Sequence, residues 1–130
     1  MARYPNAIWR PTSKQGYPGD NTHLLQGIVV HSAEGSASSM FGVLDNPARE
    51  ASWHFSVMKN GQVYQHVDSV NIAWTNGSYT ANKKFWGVEV EGVAGEPHTA
   101  KQVASLGALI AWLWQTHNVP GGLVRLVTLW

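Results

Sequence analysis

The chain is 130 residues long, with no cysteine, a formal net charge of +1 and 13% charged residues. That is one domain's worth of sequence, enough for a core without cross-links, and it rules out disulfides and a thiolate metal site while leaving the redox compartment open. The basic residues are scattered and form no stripe, which argues against a nucleic-acid partner.

Residues 1–26 are rich in Pro, Gly, Asn and Tyr and show neither helical nor strand periodicity, so they read as an irregular arm wrapping the domain, with Ala7-Ile8-Trp9 as an anchor. The N-terminus lacks the apolar core of a signal peptide, and no apolar run reaches the length of a membrane span. The expectation is a soluble protein with no membrane partner. Gly27-Ile-Val-Val-His31 follows as a short buried strand that delivers a histidine to its end and breaks into the polar turn Ser32-Ala-Glu34-Gly35-Ser36. A side chain at that point faces a cleft, although a histidine there is also an ordinary hydrogen-bonded structural residue. Ser36 to Leu44 carries Met40, Phe41, Val43 and Leu44 at helical spacing and ends before Asn46-Pro47, which predicts a short helix covering the sheet.

Ala51 to Val57 and Gln62 to Val67 alternate in character around Lys59-Asn60-Gly61, the pattern of a β-hairpin. Period-two geometry puts Trp53, Phe55 and Val57 on one face and Ser52, His54 and Ser56 on the other. Asp68 to Lys84 is a long irregular stretch holding Asn71, Trp74, Asn76, Tyr79 and Asn82, a candidate substrate rim that ends in a solvated Lys83-Lys84. Phe85 to Glu91 is another strand, with Trp86, Val88 and Val90 opposite Gly87, Glu89 and Glu91. Glu91 reads as a solvated strand end, whereas Glu89, in mid-strand, is a carboxyl that needs a partner or loses water.

Thr99-Ala-Lys-Gln102 has the spacing of a capping box, followed by Val103, Leu106, Ile110 and Leu113 as the apolar stripe of a helix over 99–117. Asn118-Val-Pro120-Gly-Gly stops it. His98 and His117 at its ends are explained by capping and dipole contacts, and His23 and His66 read as surface or strand residues. Leu123 to Val127 forms a last strand. The order of elements predicts an α/β fold: a single domain with a central mixed β-sheet flanked by helices. The chain has seven tryptophans. Trp86, Trp112 and Trp114 read as core, while for Trp53 and Trp74 stacking against a sugar or peptide competes with packing.

Taken in order, His31-Ser-Ala-Glu-Gly35, Ser52-Trp-His54-Phe, Asn60-Gly-Gln-Val-Tyr-Gln65, Ala73-Trp74, Asn82 and Gly87-Val-Glu89-Val-Glu91-Gly92 resemble the zinc-dependent N-acetylmuramoyl-L-alanine amidases. More narrowly, they resemble the amidase domains of bacteriophage endolysins, in the superfamily that includes the animal peptidoglycan recognition proteins. The resemblance implies that family's fold and its hydrolysis of the amide between N-acetylmuramic acid and the L-alanine of the stem peptide, with bacterial peptidoglycan as partner and Zn2+ as cofactor. By the same resemblance His31 matches the first zinc ligand, and Glu89 matches the general base acting on metal-bound water. His54, Trp53, Trp74 and Asn82 fall on substrate-lining positions. An amide is a poor electrophile, and a metal that polarises its carbonyl and brings bound water to a pKa of ~7 answers that difficulty.

The chain departs from the family in three ways. Trp53 stands where some members carry Tyr, so no catalytic phenol is carried over, and Thr75 stands where many have His after Ala-Trp. The family's second and third ligands come after the long helix, but beyond His117 the chain has no Asp, Glu, Cys or further His. It reads as truncated just before that segment. Two alternatives follow: a catalytically impaired peptidoglycan-binding module on the same fold, and a fragment that self-associates through the C-terminal sheet edge. For an endolysin-like protein, the implied location is the host cytoplasm and then the cell wall.

Overall fold

The computed structural model describes residues 3–16, 27–74, 82, 85–117 and 126–128, the last of these by backbone pairing alone. In chain order these form β1 (Ala7–Trp9), β2 (Gln15–Gly16), β3 (Gly27–Ser32), α1 (Ala37–Asp45), β4 (Phe55–Val57), β5 (Val63–Gln65), β6 (Ile72–Ala73), β7 (Phe85–Val90), α2 (Ala100–His117) and β8 (Leu126–Thr128). The β-branched run of β3 and the alternating β7 lie parallel at the centre of a six-stranded sheet of order β1-β5-β4-β7-β3-β8. β4 is parallel to β7 and antiparallel to β5, so the sheet is mixed, as expected. The readings made for His23, Thr75, Asn76, Tyr79, Lys83, Lys84 and the helix stop at 118–122 lie outside the described residues. The predicted last strand appears as β8 at the sheet edge beside β3.

Because side chains alternate along each strand, the two faces of the sheet differ in chemistry. Ile28, Val30, Phe55, Val57, Trp86, Val88 and Val90 form one buried face, which α2 covers with Leu109 and Leu113. Each such side chain is worth about 1.5–3 kcal/mol of transfer free energy, so this face holds the domain together. The opposite face carries His31, Glu89 and Ser56 and is covered by α1, whose Met40 and Leu44 pack with Trp53 and Met58.

The ends of both helices follow from local sequence. Ser36 caps α1, its hydroxyl accepting from the Ser39 N–H at 3.3 Å. Thr99 and Gln102 make the expected reciprocal box: the Gln102 N–H donates to Thr99 Oγ1 at 3.1 Å and the Thr99 N–H to Gln102 Oε1 at 2.9 Å. The predicted stripe of α2 needs correction at its start. Gln102 takes the inner position of the first turn, 2% exposed, and donates through Nε2 to the Glu91 carbonyl. Val103, one residue on and so about 100° around the helix, is 58% exposed.

The arm is more regular than expected. Ala7–Trp9 is an edge strand parallel to β5, and Gln15–Gly16 pairs with Ile72–Ala73. Strands of three and two residues are too short to show a period in sequence. The hairpin turn is as read: Gly61 sits at φ +88°, the left-handed region where glycine is favoured, and the Gln62 N–H donates to Asn60 Oδ1. The alternation does not extend back to Trp53. β4 begins only at Phe55, so Trp53 joins the α1 side instead of sharing a face with Phe55 and Val57.

Candidate functional site

Residues paired across a sheet ladder present their side chains to the same face. His31 and Glu89 are such a pair, on strands about 4.8 Å apart. Both line a groove of about 320 Å3 between the sheet and α1. The turn Ser32–Glu34 closes one end; Met40 and Val43 of α1, Arg49, Ala51 to Trp53 and Trp74 supply the remaining walls. Glu34 in that turn holds φ +55°, a conformation unusual for a residue with a side chain, and its Oε1 accepts the Ala94 N–H at 2.8 Å. That bond fixes the turn immediately after His31.

Burial pushes the Glu89 carboxyl up to about 8. At neutral pH it therefore holds a proton in most molecules and releases it within reach of physiological conditions, the property wanted of a group that both takes and returns a proton. His31 and Glu89 are two donors where a catalytic zinc takes about three. Among the described residues no cluster of three His, Cys, Asp or Glu could hold a metal ion. The described donors do not by themselves fit a catalytic zinc.

Of the residues expected to touch substrate, Trp74 and Trp53 line the groove. Trp74 leaves 38% of its surface open, while Trp53 leaves only 5%. The Trp53 indole N–H donates to Ser56 Oγ at 2.8 Å, and Ser56 Oγ lies 2.7 Å from His66 Nε2. His66 Nδ1 is 2.6 Å from the Arg10 carbonyl. A carbonyl only accepts, so Nδ1 carries the proton, Nε2 accepts from Ser56, and every hydrogen in the relay has one direction. Burial pushes the His66 imidazole down to about 4, which keeps it neutral and the relay intact. His66 was expected at the surface or in a strand; it is fully buried beside the strand end.

His54 is fully buried and lies away from the groove walls. Its Nδ1 accepts the Gly87 N–H at 3.1 Å, so Nε2 carries the proton and donates to the Asn71 carbonyl at 2.8 Å. The Gly87 carbonyl in turn accepts the His54 N–H. The imidazole thus takes the place of a ladder partner where β4 has not yet begun, and both ring nitrogens are engaged with backbone. Asn82 is buried and is likewise not among the groove-lining residues described.

Lys14 and Arg49 were not named from sequence, and Ser52 was named only on a polar strand face and at the start of a family motif. Lys14 is buried, and its ammonium donates to the carbonyls of Val43, Asn46 and Arg49 at 2.8–3.1 Å, satisfying the C-terminal end of α1. Burial lowers its pKa. The Lys14 carbonyl accepts the Ser52 hydroxyl at 2.6 Å, and Ser52 Oγ accepts the Trp74 N–H at 2.9 Å. One buried lysine therefore anchors the segment carrying Arg49 and the residue carrying the exposed indole. A lysine among polar residues of an arm gives no sequence signal of this, because its partners are backbone carbonyls.

The profile of a family described as N-acetylmuramoyl-L-alanine amidase matches residues 21–125. The chain is 27% identical over 96 residues to N-acetylmuramoyl-L-alanine amidase A of Achromobacter lyticus, a match covering 72% of this chain and 51% of that protein. It thus spans about half the length of that curated relative. Among solved structures, a selenomethionine derivative of AmpD superposes with a TM-score of 0.76 at 19% identity, over 97% of this chain and 82% of the other. A mutant endolysin from Bacillus subtilis gives a TM-score of 0.67 at 25% identity, over 95% and 83% of the two chains.

Proposed function

Because the chain belongs to the N-acetylmuramoyl-L-alanine amidase family, we propose that it hydrolyses the amide joining the lactyl group of N-acetylmuramic acid to the L-alanine of the stem peptide in bacterial peptidoglycan. The observation that carries this reading is the pairing of His31 with Glu89 on one face of the sheet, at the floor of a groove. In this reading Glu89 takes a proton from the attacking water as the carbonyl carbon becomes tetrahedral. It then returns that proton to the alanine nitrogen as the C–N bond breaks. With its carboxyl near 8, about a tenth of molecules carry the carboxylate at pH 7, and that fraction rises with pH. His31 is the described residue in this reading that faces the zinc on which the family generally depends, and Trp74 offers the ring against which a sugar or peptide face lies. An endolysin-like role would carry the protein from a host cytoplasm to the wall.

Release of L-alanine-bearing stem peptide from purified wall, with and without added zinc, tests the activity. Glu89→Gln is expected to cut release by about a hundredfold or more. Undiminished release would remove Glu89 from this role.

The shortage of described donors supports a second reading, a peptidoglycan-binding module without turnover. Wild type that sediments with insoluble wall but releases nothing, and that binds less well as Trp74→Ala, is its signature. Absence of sedimentation ends it. The position of β8 at the sheet edge supports the further reading that two copies pair there. A monodisperse monomer in light scattering would exclude that pairing.

A further inference from the structure

One buried residue outside the groove touches both of its walls, and the amide chemistry does not use it. His66 is fully buried, and every polar atom it has is committed. Its N–H donates to the His54 carbonyl at 2.8 Å, and its carbonyl accepts the Thr12 N–H at 3.0 Å. On the ring, Nδ1 donates to the Arg10 carbonyl at 2.6 Å, and Nε2 accepts the Ser56 hydroxyl at 2.7 Å. A serine hydroxyl has one hydrogen, so Ser56 can meet the Trp53 indole only as an acceptor, at 2.8 Å. The indole has no second polar atom. Trp53 is therefore turned with its N–H toward Ser56 and meets the groove with carbon alone.

Ser56 is itself the ladder partner of Glu89, on the side away from His31. The bond that orients Trp53 is thus made one strand spacing, about 4.8 Å, from the strand that carries the carboxyl of the groove floor. Trp53 lies ahead of β4, so without that bond the ladder does not dictate where its ring points. His66 reaches the helix wall through rings. Phe41 of α1 stands edge-on to the imidazole, with centroids 5.8 Å apart and planes at 71°. Arg10, whose carbonyl holds His66, lays its guanidinium over the same Phe41 ring at 4.1 Å and forks onto Asp45 at the end of α1. Met40 and Val43, which line the groove, flank Phe41 on that helix. Arm, sheet wall and helix wall meet at this one imidazole.

We propose that His66 is a positioning residue for ligand binding: through Ser56 it sets the orientation of Trp53, and through Phe41 it sets the distance of α1 from the sheet, so the groove is held at one width before a ligand arrives. This rests on the reading that the groove binds peptidoglycan, and adds where its preorganisation comes from. A buried polar group satisfied on every atom specifies a single arrangement, and a wall already in place lowers the ordering cost of binding.

The test compares three variants of the whole chain with wild type. Ser56→Thr keeps the hydroxyl, Ser56→Val has the same shape without it, and His66→Phe keeps a ring against Phe41 but accepts nothing. Each is titrated calorimetrically with a synthetic N-acetylmuramoyl-L-alanyl peptide at a temperature where circular dichroism shows it folded. Solvent exchange of the Trp53 indole N–H, assigned by its loss in Trp53→Phe, is followed by heteronuclear NMR. Wild type and Ser56→Thr are expected to bind within about twofold of each other, with the indole proton protected. Ser56→Val and His66→Phe are expected to bind about tenfold more weakly, with that proton exchanging faster. If His66→Phe does not fold, the two Ser56 variants decide alone. Equal losses in Ser56→Thr and Ser56→Val assign the effect to volume and overturn the positioning role, as does undiminished affinity in Ser56→Val; both leave the peptidoglycan reading standing. Wild type that binds no peptide overturns both.

Discussion

Replacing Glu89 with glutamine removes a titrating group while nearly preserving its shape. In the folded chain this carboxyl titrates at about 8, against 4.5 for an unperturbed glutamate. Between those values the folded state keeps a proton that the unfolded state has released. Stability is then fully present below about pH 4.5 and is lost as pH rises toward 8, because the unfolded state binds fewer protons. At about 1.36 kcal/mol per pH unit, the full separation is worth on the order of 5 kcal/mol, reduced to about 3 because the groove lets water reach the carboxyl. Glutamine carries no such penalty. Glu89→Gln should match wild type within about 1 kcal/mol at pH 4.5 and exceed it by about 3 kcal/mol at pH 8.5. Urea unfolding followed by tryptophan fluorescence at a series of pH values measures this, with a chelator present so that no bound cation changes the charge of the site. His66 titrates in both proteins and cancels in the difference. Two stability profiles that run parallel from pH 4.5 to 8.5 would refute the argument that burial governs this carboxyl.

The remaining predictions concern the supports of the groove. His66 stays neutral to about pH 4, whereas an unfolded histidine protonates near 6.5, so the stability it permits is complete above 6.5 and falls by on the order of 3 kcal/mol as pH drops to 4. Glu89 acts in the opposite direction over that range but is common to wild type and His66→Gln, so it is the stability difference between them, by urea unfolding, that should move by about 3 kcal/mol against wild type between pH 6.5 and 4. Lys14→Met leaves the Val43, Asn46 and Arg49 carbonyls without their donor and should cost about 2–4 kcal/mol by chemical unfolding, with loosened amide protection at Trp74 in hydrogen exchange. On α2, Leu113→Ala should cost about 2–5 kcal/mol, whereas Val103→Ala should stay within about 0.5, and equal costs would contradict the orientation found for that helix.

The features legible in sequence were those with a local cause. Period-two alternation in β7 placed Glu89 opposite Trp86, Val88 and Val90, and the β-branched run of β3 ended on His31; the parallel register between them does the rest. The capping box at Thr99 and the turn at Asn60-Gly61 were equally visible, because each is closed by residues near in sequence. What escaped was decided by distant partners. His54 was read by alternation, but its imidazole is captured by the backbone of Gly87 and Asn71. Val103 lost the inner face of α2 to a glutamine that found the Glu91 carbonyl. The arm's strands were invisible because two or three residues make no pattern, and Lys14 because its partners carry no side-chain signature.

The register of β3 bears on when the protein becomes competent. Val29 pairs with Gly87 on one side and Val127 on the other, so this early strand has no ladder partner until much later stretches have been made. Pairings so remote in the chain close slowly and late. On a ribosome, His31 emerges long before Glu89 exists to meet it, and a nascent chain has no assembled groove. The apolar β3 meanwhile stands unpaired, and competence waits until the stretch that forms β8 has been made.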